Sequence, residues 1–210
     1  MTLEQIINLV VMFLVVVDPV GNAPVFAGLT RGGDAAYRRR MAVKGVAIAT
    51  AILLVFAFTG DWLLTALGIT VPAFKVAGGL LLFLVALDMV FARHSGLRST
   101  TLREEEEARF RADISVFPLA FPLLAGPAAL TTILLTVGEA RGTPALFLAM
   151  LGVLCLVMLF TLACLLMAGH LMKVMGETGA NVVDRLLGVL LAALAAQYVI
   201  DGIRASFNLA

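Results

Sequence analysis

The sequence predicts an all-α membrane protein: six transmembrane helices forming two inverted three-helix repeats, with the first and fourth helices interrupted. Three observations predict it. Of 210 residues, 61% are hydrophobic and only 14% are charged, a balance unlike that of ordinary soluble domains. Six apolar segments, at about 3–29, 42–66, 71–91, 114–137, 144–170 and 183–203, are long enough to cross a bilayer, which takes roughly 20 residues each. The first and fourth carry proline and glycine near their middles. Little chain is left over. Residues 1–210 are therefore expected to form a single transmembrane domain, with repeat one over about 1–92, a loop over about 93–113 and repeat two over about 114–210.

Segment 1 is broken by Asp18-Pro19-Val20-Gly21-Asn22-Ala23-Pro24. Pro19 and Pro24 have no amide proton to continue a helical ladder, and Gly21 tolerates angles that other residues avoid. Asp18 places a carboxyl group where hydrocarbon is expected, which marks a functional position by default. Lipid cannot satisfy free backbone groups, so a break here needs a protein-lined or water-lined cavity. The run has no Lys or Arg before it, carries Glu4 and lacks a small-x-small pattern ahead of Asp18. It reads as the first membrane helix and not as a cleavable signal.

The loops set the orientation. Loop 1 holds Arg31, Arg38, Arg39 and Arg40, with Lys44 just beyond; loop 3 holds Arg93, Arg98, Arg103, Arg109 and Arg111; loop 5 holds Lys173 and Arg185. The other three of the 15 basic residues, Lys75, Arg141 and Arg204, lie at or near the opposite face. The positive-inside rule places loops 1, 3 and 5 in the cytoplasm and both termini outside. The acidic run Glu104–Glu107 does not alter this and reads as a solvated loop or short surface helix.

Segments 2 and 6 carry small residues at helical spacing: Ala42, Gly45 and Ala49, then Gly188, Ala192, Ala195 and Ala196. Small faces let membrane helices approach closely, so these read as packing surfaces. Gly78-Gly79 in segment 3 serves either packing or a site. Cys155 and Cys164 in segment 5 lack metal-ligand spacing and read as packing residues.

Segment 4 repeats the feature of segment 1. It reads Phe117-Pro118-Leu119-Ala120-Phe121-Pro122-Leu123-Leu124-Ala125-Gly126-Pro127, followed by Thr131 and Thr132. Pro122 and Pro127 have the same spacing as Pro19 and Pro24, and Lys75 and Gly78 correspond to Arg185 and Gly188. Each half has three crossings, so the second enters from the opposite face. Inverted repeats with paired interrupted helices near the midplane point to a secondary-transporter site. The competing reading is two independent proline kinks in a structural bundle.

The breaks suggest a chemistry. Asn22 is expected to cap a half-helix starting near Ala23, with Pro24 in its first turn. Gly126 is expected to precede a second half-helix with Pro127 at its first position. Two helix N-termini meeting across a cavity favour a carboxylate. Asp18 and the carbonyls around Val15–Val17 favour a cation or ammonium group. Together they suit a zwitterion with a coupling ion, sodium or a proton. Thr131 and Thr132 either offer hydroxyls or bond back to the preceding turn.

Other polar residues carry weaker signals. Asp88 reads as a partner of Arg93, Lys75 as a snorkelling cation and Gln197 as an interhelical hydrogen-bonding group. His94 and His170 are assigned no chemistry. There is no nucleophile elbow, phosphate loop or metal-ligand cluster, so neither an enzyme nor a cofactor is expected. The expected partners are the lipid bilayer, a small-molecule substrate and, compatibly, further copies of the chain; no feature calls for nucleic acid.

Four stretches resemble the MarC family of bacterial integral membrane proteins: DPVGNAPVF at 18–26, AFKVAGGLLLFLVALDM at 73–89, DISVFPLAFPLLAGPAALTT at 113–132 and LLGVLLAALAAQYVIDGI at 186–203. The resemblance covers nearly the whole chain. Asp18, Pro19, Gly21, Asn22, Pro24, Gly126 and Pro127 match the family's signatures. Ala128 departs from them, standing where a second glycine of a Gly-Pro-Gly is expected. The resemblance implies a multi-pass protein of the bacterial inner membrane that transports small neutral amino acids. The expected function is thus a secondary carrier for these or similar small metabolites. A passive small-solute channel, or a structural or regulatory protein without transport, is the alternative.

Overall fold

The structure is a computed structural model in which residues 3–91, 113–140 and 143–207 are described. Among these residues it is all helical, with no strands. The order is α1 (Leu3–Val17), α2 (Pro19–Leu29), α3 (Ala35–Ala66), α4 (Val71–Phe91), α5 (Ser115–Leu124), α6 (Pro127–Glu139), α7 (Pro144–Leu166) and α8 (Ala168–Phe207). Five stretches are long and apolar enough to span a membrane, or six when α5 and α6, bent by 56° at their junction, count as one broken span. The first combines α1 and α2 over Glu4–Leu29.

The outer surface is apolar. Trp62, Phe58, Leu148, Leu159 and Leu186 each keep more than 60% of their surface exposed. So much large apolar surface is stable only where lipid covers it.

Small residues set the close contacts. A Cβ on Gly79 would stand 2.8 Å from the Ala195 carbonyl oxygen, and one on Gly202 2.8 Å from that of Pro72. One on Gly188 would press on Met89 and Val90. These glycines let α4 and α8 pack antiparallel at short range, the most extensive helix pair among the described residues. Gly78 receives the Thr131 methyl group of α6. The Gly78-Gly79 pair is therefore used in packing. Across the molecule α3 packs on α5 and α6, and α7 packs on α1 and α2; α2 also lies against α8, and α4 against α6.

Three boundaries differ from expectation. The Asp34 side chain accepts from the Tyr37 amide at 2.7 Å, and this cap starts α3 seven residues before the apolar run, so Arg38–Arg40 are helical. Loop 5 is not a loop. Helix continues through Lys173 and Arg185, interrupted only at Gly176, whose φ of 64° no residue with a side chain adopts readily. Segment 4 does not begin as a regular helix. Phe117 and Phe121 are extended, as residues before proline prefer, and α5 is wound with i→i+5 hydrogen bonds such as Leu119 N–H to the Ile114 carbonyl at 3.1 Å.

Candidate functional site

The first break lies at Asp18. This residue sits in the left-handed region (φ 46°, ψ 67°), which Asp tolerates better than most side chains. It is 1% exposed. Its Oδ1 accepts from the Gly21 amide at 3.1 Å, capping α2, while Pro19 takes the first helical position. The cap is thus Asp18 and not Asn22, and α2 starts at Pro19 and not near Ala23. Pro24 lies inside α2. Pro19 competes equally well for a first position and has an acceptor side chain just before it, so the helix starts there.

Asn22 has a different task. Its Nδ2 donates to the Val17 carbonyl at 2.7 Å, in a buried setting. Val17 ends α1. The side chain therefore ties the second half of the broken helix back to the first, at a carbonyl whose helical ladder the break interrupts.

Gly21 explains the crowding around the break. A Cβ there would stand 2.0 Å from Asp18 Oδ2 and 2.6 Å from Asp184 Oδ1. Two carboxylates, one from each end of the chain, thus converge on one glycine. Asp184 comes from α8 and is half-buried. Sequence reasoning missed it because it sits where segment 6 was expected to begin. The available signal was an acid at the edge of an apolar run.

The second break follows the expected pattern. Gly126 caps α6 with extended backbone, and Pro127 occupies the first helical position. A Cβ on Gly126 would stand 2.3 Å from the Pro122 carbonyl oxygen. Only glycine fits, for lack of space. A cavity of about 10 Å³ beside this N-terminus touches Val16, Val85, Pro122, Gly126, Ala128 and Ala129. Val16, next to the last residue of α1, shares this lining with the α6 N-terminus; the α2 N-terminus is not among the lining. Thr131 packs by its methyl group on Gly78. Thr132 is fully buried, and its Oγ1 has no hydrogen-bond partner among the described residues. The back-bonding hydroxyl is that of Thr136, to the Thr132 carbonyl at 2.8 Å.

A pocket of about 520 Å³ opens on the loop-1 face, bounded by Pro24, Gly28, Arg31, Arg38, Met172 and Asn181. Pro24 is one turn past Gly21 on α2, and Asn181 is one turn before Asp184 on α8. The inner end of the pocket therefore stops about one helical turn short of the two carboxylates.

Of the other polar positions, Gln197 bonds within its own helix, Nε2 to Asp201 Oδ1 at 2.8 Å, and not between helices. Asp88 is buried at 9% exposure; Arg93, His94 and the Glu104–Glu107 run lie outside the described residues. Among the described residues no group of three or more His, Cys, Asp or Glu side chains gathers as metal ligands would.

Comparison with known proteins places these features in a lineage. Residues 3–207 match the MarC family, described as integral membrane proteins. An inner membrane protein of Escherichia coli K12, UPF0056 inner membrane protein YhgN, is 32% identical over 207 residues, 96% of this chain and 98% of the relative. A UPF0056 membrane protein of Methanocaldococcus jannaschii is 39% identical over 190 residues, 90% of this chain and 91% of the relative. One from Buchnera aphidicola subsp. Schizaphis graminum is 33% identical over 207 residues, 98% of this chain and 100% of the relative. No solved structure matches. The chain belongs to the MarC family of integral membrane proteins.

Proposed function

We propose that this protein is an inner-membrane secondary carrier for small neutral amino acids or similar metabolites, driven by sodium or protons, and not an enzyme. The observation that carries the reading is the pair of interrupted spans. Each is broken near its middle, each break is buried, and each starts a half-helix at a proline preceded by a cap. Backbone of this kind is tolerated at membrane depth only where it is enclosed by protein or lines a cavity.

The repeat reading is supported by the pairing of helices. Exchanging α1–α4 for α5–α8 turns the packing of α3 on α5 and α6 into that of α7 on α1 and α2. It likewise turns α2 on α8 into α6 on α4. Such an exchange is what two inverted repeats would produce.

In this mechanism the α6 N-terminus at Gly126 and Pro127 attracts the substrate carboxylate, with Thr132 Oγ1 as a further polar contact. Asp18 and Asp184 attract the coupling ion or the substrate ammonium group, beside Gly21 and Asn22. Rocking of one half against the other opens the site alternately to each face. The narrow cavity at the second break and the wide pocket on the loop-1 face suit alternating access better than a continuous pore. The basic residues of loops 1 and 3 favour a cytoplasmic position for that face, with both termini outside; a reporter fused in loop 1 that reads the outer face would reverse the assignment.

Uptake of an amino-acid panel into proteoliposomes, with imposed sodium or proton gradients, tests the function. Saturable, gradient-driven uptake of small neutral amino acids is expected. The absence of flux across the panel in correctly inserted protein would overturn the proposal.

A further inference from the structure

A second pocket on the loop-1 face lies apart from both breaks. Its volume is about 630 Å³, and it sits between the C-terminal end of α2, the first turns of α3 and the turn joining α7 to α8. Its floor is apolar, with Phe26, Leu165 and Ala168 buried beneath it. Its rim is basic, formed by Arg38, Arg39 and His170, and among the described residues no acidic side chain lines it. The Arg38 Nε–H donates to the Gly33 carbonyl at 3.0 Å, which anchors that guanidinium at the rim. On one wall Leu166 and Met167 keep 48% and 51% of their surface exposed.

We infer that this pocket binds the anionic phosphate head group of a membrane phospholipid, with an acyl chain laid against Leu166 and Met167. The lining asks for an amphiphile. A free anion would leave the apolar floor and wall uncovered, and an apolar solute would leave the guanidinium groups without a counter-charge. Guanidinium forks match phosphate oxygens in geometry as well as charge. Basic pockets between transmembrane helices on the cytoplasmic side are where anionic head groups bind. The pocket also lies at helix ends, the depth at which head groups sit. A lipid held there touches α2 and α3 of one half and the α7–α8 turn of the other, so its occupancy would bias how the halves sit against each other. The site does not depend on the transport proposal.

The test uses the full chain purified in a neutral detergent. Thermal unfolding is followed with added phosphatidylglycerol, phosphatidylcholine or inorganic phosphate. Phosphatidylglycerol is expected to raise the midpoint at concentrations where the other two do not. R38Q/R39Q is expected to raise the phosphatidylglycerol concentration required by roughly 30-fold, given the usual attraction of two basic residues for an anionic membrane surface. R38K/R39K keeps both charges and is expected to fall between the two, because lysine lacks the fork. Native mass spectrometry reads retained lipid independently of variant stability, and a phosphatidylglycerol adduct on the wild type that R38K/R39K holds less well supports the site even if R38Q/R39Q does not fold. Equal stabilisation by phosphatidylcholine would mean general solvation by lipid and overturn the inference. An equal effect of inorganic phosphate would make it a free-anion site and overturn it too, as would undiminished lipid retention in both variants.

Discussion

The carboxylates of Asp18 and Asp184 converge on Gly21, one from the broken first span and one from the last helix. A cation placed between them is attracted by both. A contact to a charged group contributes about 1.5–3 kcal/mol, so Asp18→Asn and Asp184→Asn are each expected to weaken apparent ion affinity by about 10- to 100-fold. Gly21→Ala is expected to act in the same direction, since the added methyl must displace one carboxylate or the other. Ion-titrated uptake in well-expressed variants checks this. Unchanged ion dependence in both Asn variants would show that the pair only shapes the break.

Asn22 works as a donor to the Val17 carbonyl, and the sign of its substitutions follows. Asn22→Ala leaves a buried carbonyl without that partner and is expected to destabilise by about 1–3 kcal/mol. Asn22→Asp replaces the donor with an acceptor facing the same carbonyl and should be worse than Ala. Denaturation of the purified variants in detergent gives the order. If Asp is tolerated better than Ala, Asn22 is not bridging the half-helices.

Thr132 separates stability from function. Its buried Oγ1 is without a partner among the described residues, so Thr132→Val, which keeps the shape, is expected to leave stability unchanged or raise it by about 1 kcal/mol. Transport is expected to fall, because the proposed site gives this hydroxyl to the substrate. Parallel measurements of unfolding midpoint and uptake decide the matter: normal uptake removes Thr132 from the site.

At the loop-1 face Lys44 of α3 hydrogen-bonds to Asp113, which also accepts from the Ser115 amide at 2.9 Å and its hydroxyl at 2.5 Å. These donors, Lys44 foremost, hold the Asp113 carboxyl at about 2, below its ordinary value of 3.8. A carboxyl depressed on folding stabilises above its unfolded value and loses that contribution as pH falls through the folded one. The loss therefore falls between about pH 4 and pH 2. Both side chains are nearly half exposed, so solvent screening limits the contribution to about 0.2–1 kcal/mol. Unfolding midpoints of wild type and Asp113→Asn should differ above pH 4 and converge below pH 2. Identical profiles throughout would mean that the pair contributes nothing.

How much of this was legible depended on whether the cause was local. The spans follow from apolar run lengths, and Gly126 with Pro127 follows from what a helix start demands of its first residues. Asp18 as the cap was not legible. Pro19 and Pro24 both fit a first turn, and the choice rests on a left-handed Asp18 that the surrounding packing holds in place. Asp184 was missed for a different reason: its place at Gly21 depends on α2 lying against α8, a relation between distant parts of the chain. Hydropathy also marked where chain leaves the hydrocarbon and not where helix stops, so α8 ran on through Lys173 and Arg185.

In the proposed carrier the two breaks form a site that faces each side of the membrane in turn. Counterflow in proteoliposomes tests it most directly. Vesicles loaded with an unlabelled small neutral amino acid should take up the labelled compound faster than empty vesicles, without any ion gradient, and Gly126→Ala, whose methyl meets the Pro122 carbonyl, should lose that exchange. Flux that follows a gradient but is never accelerated by substrate on the far side would rule out a carrier and identify a channel.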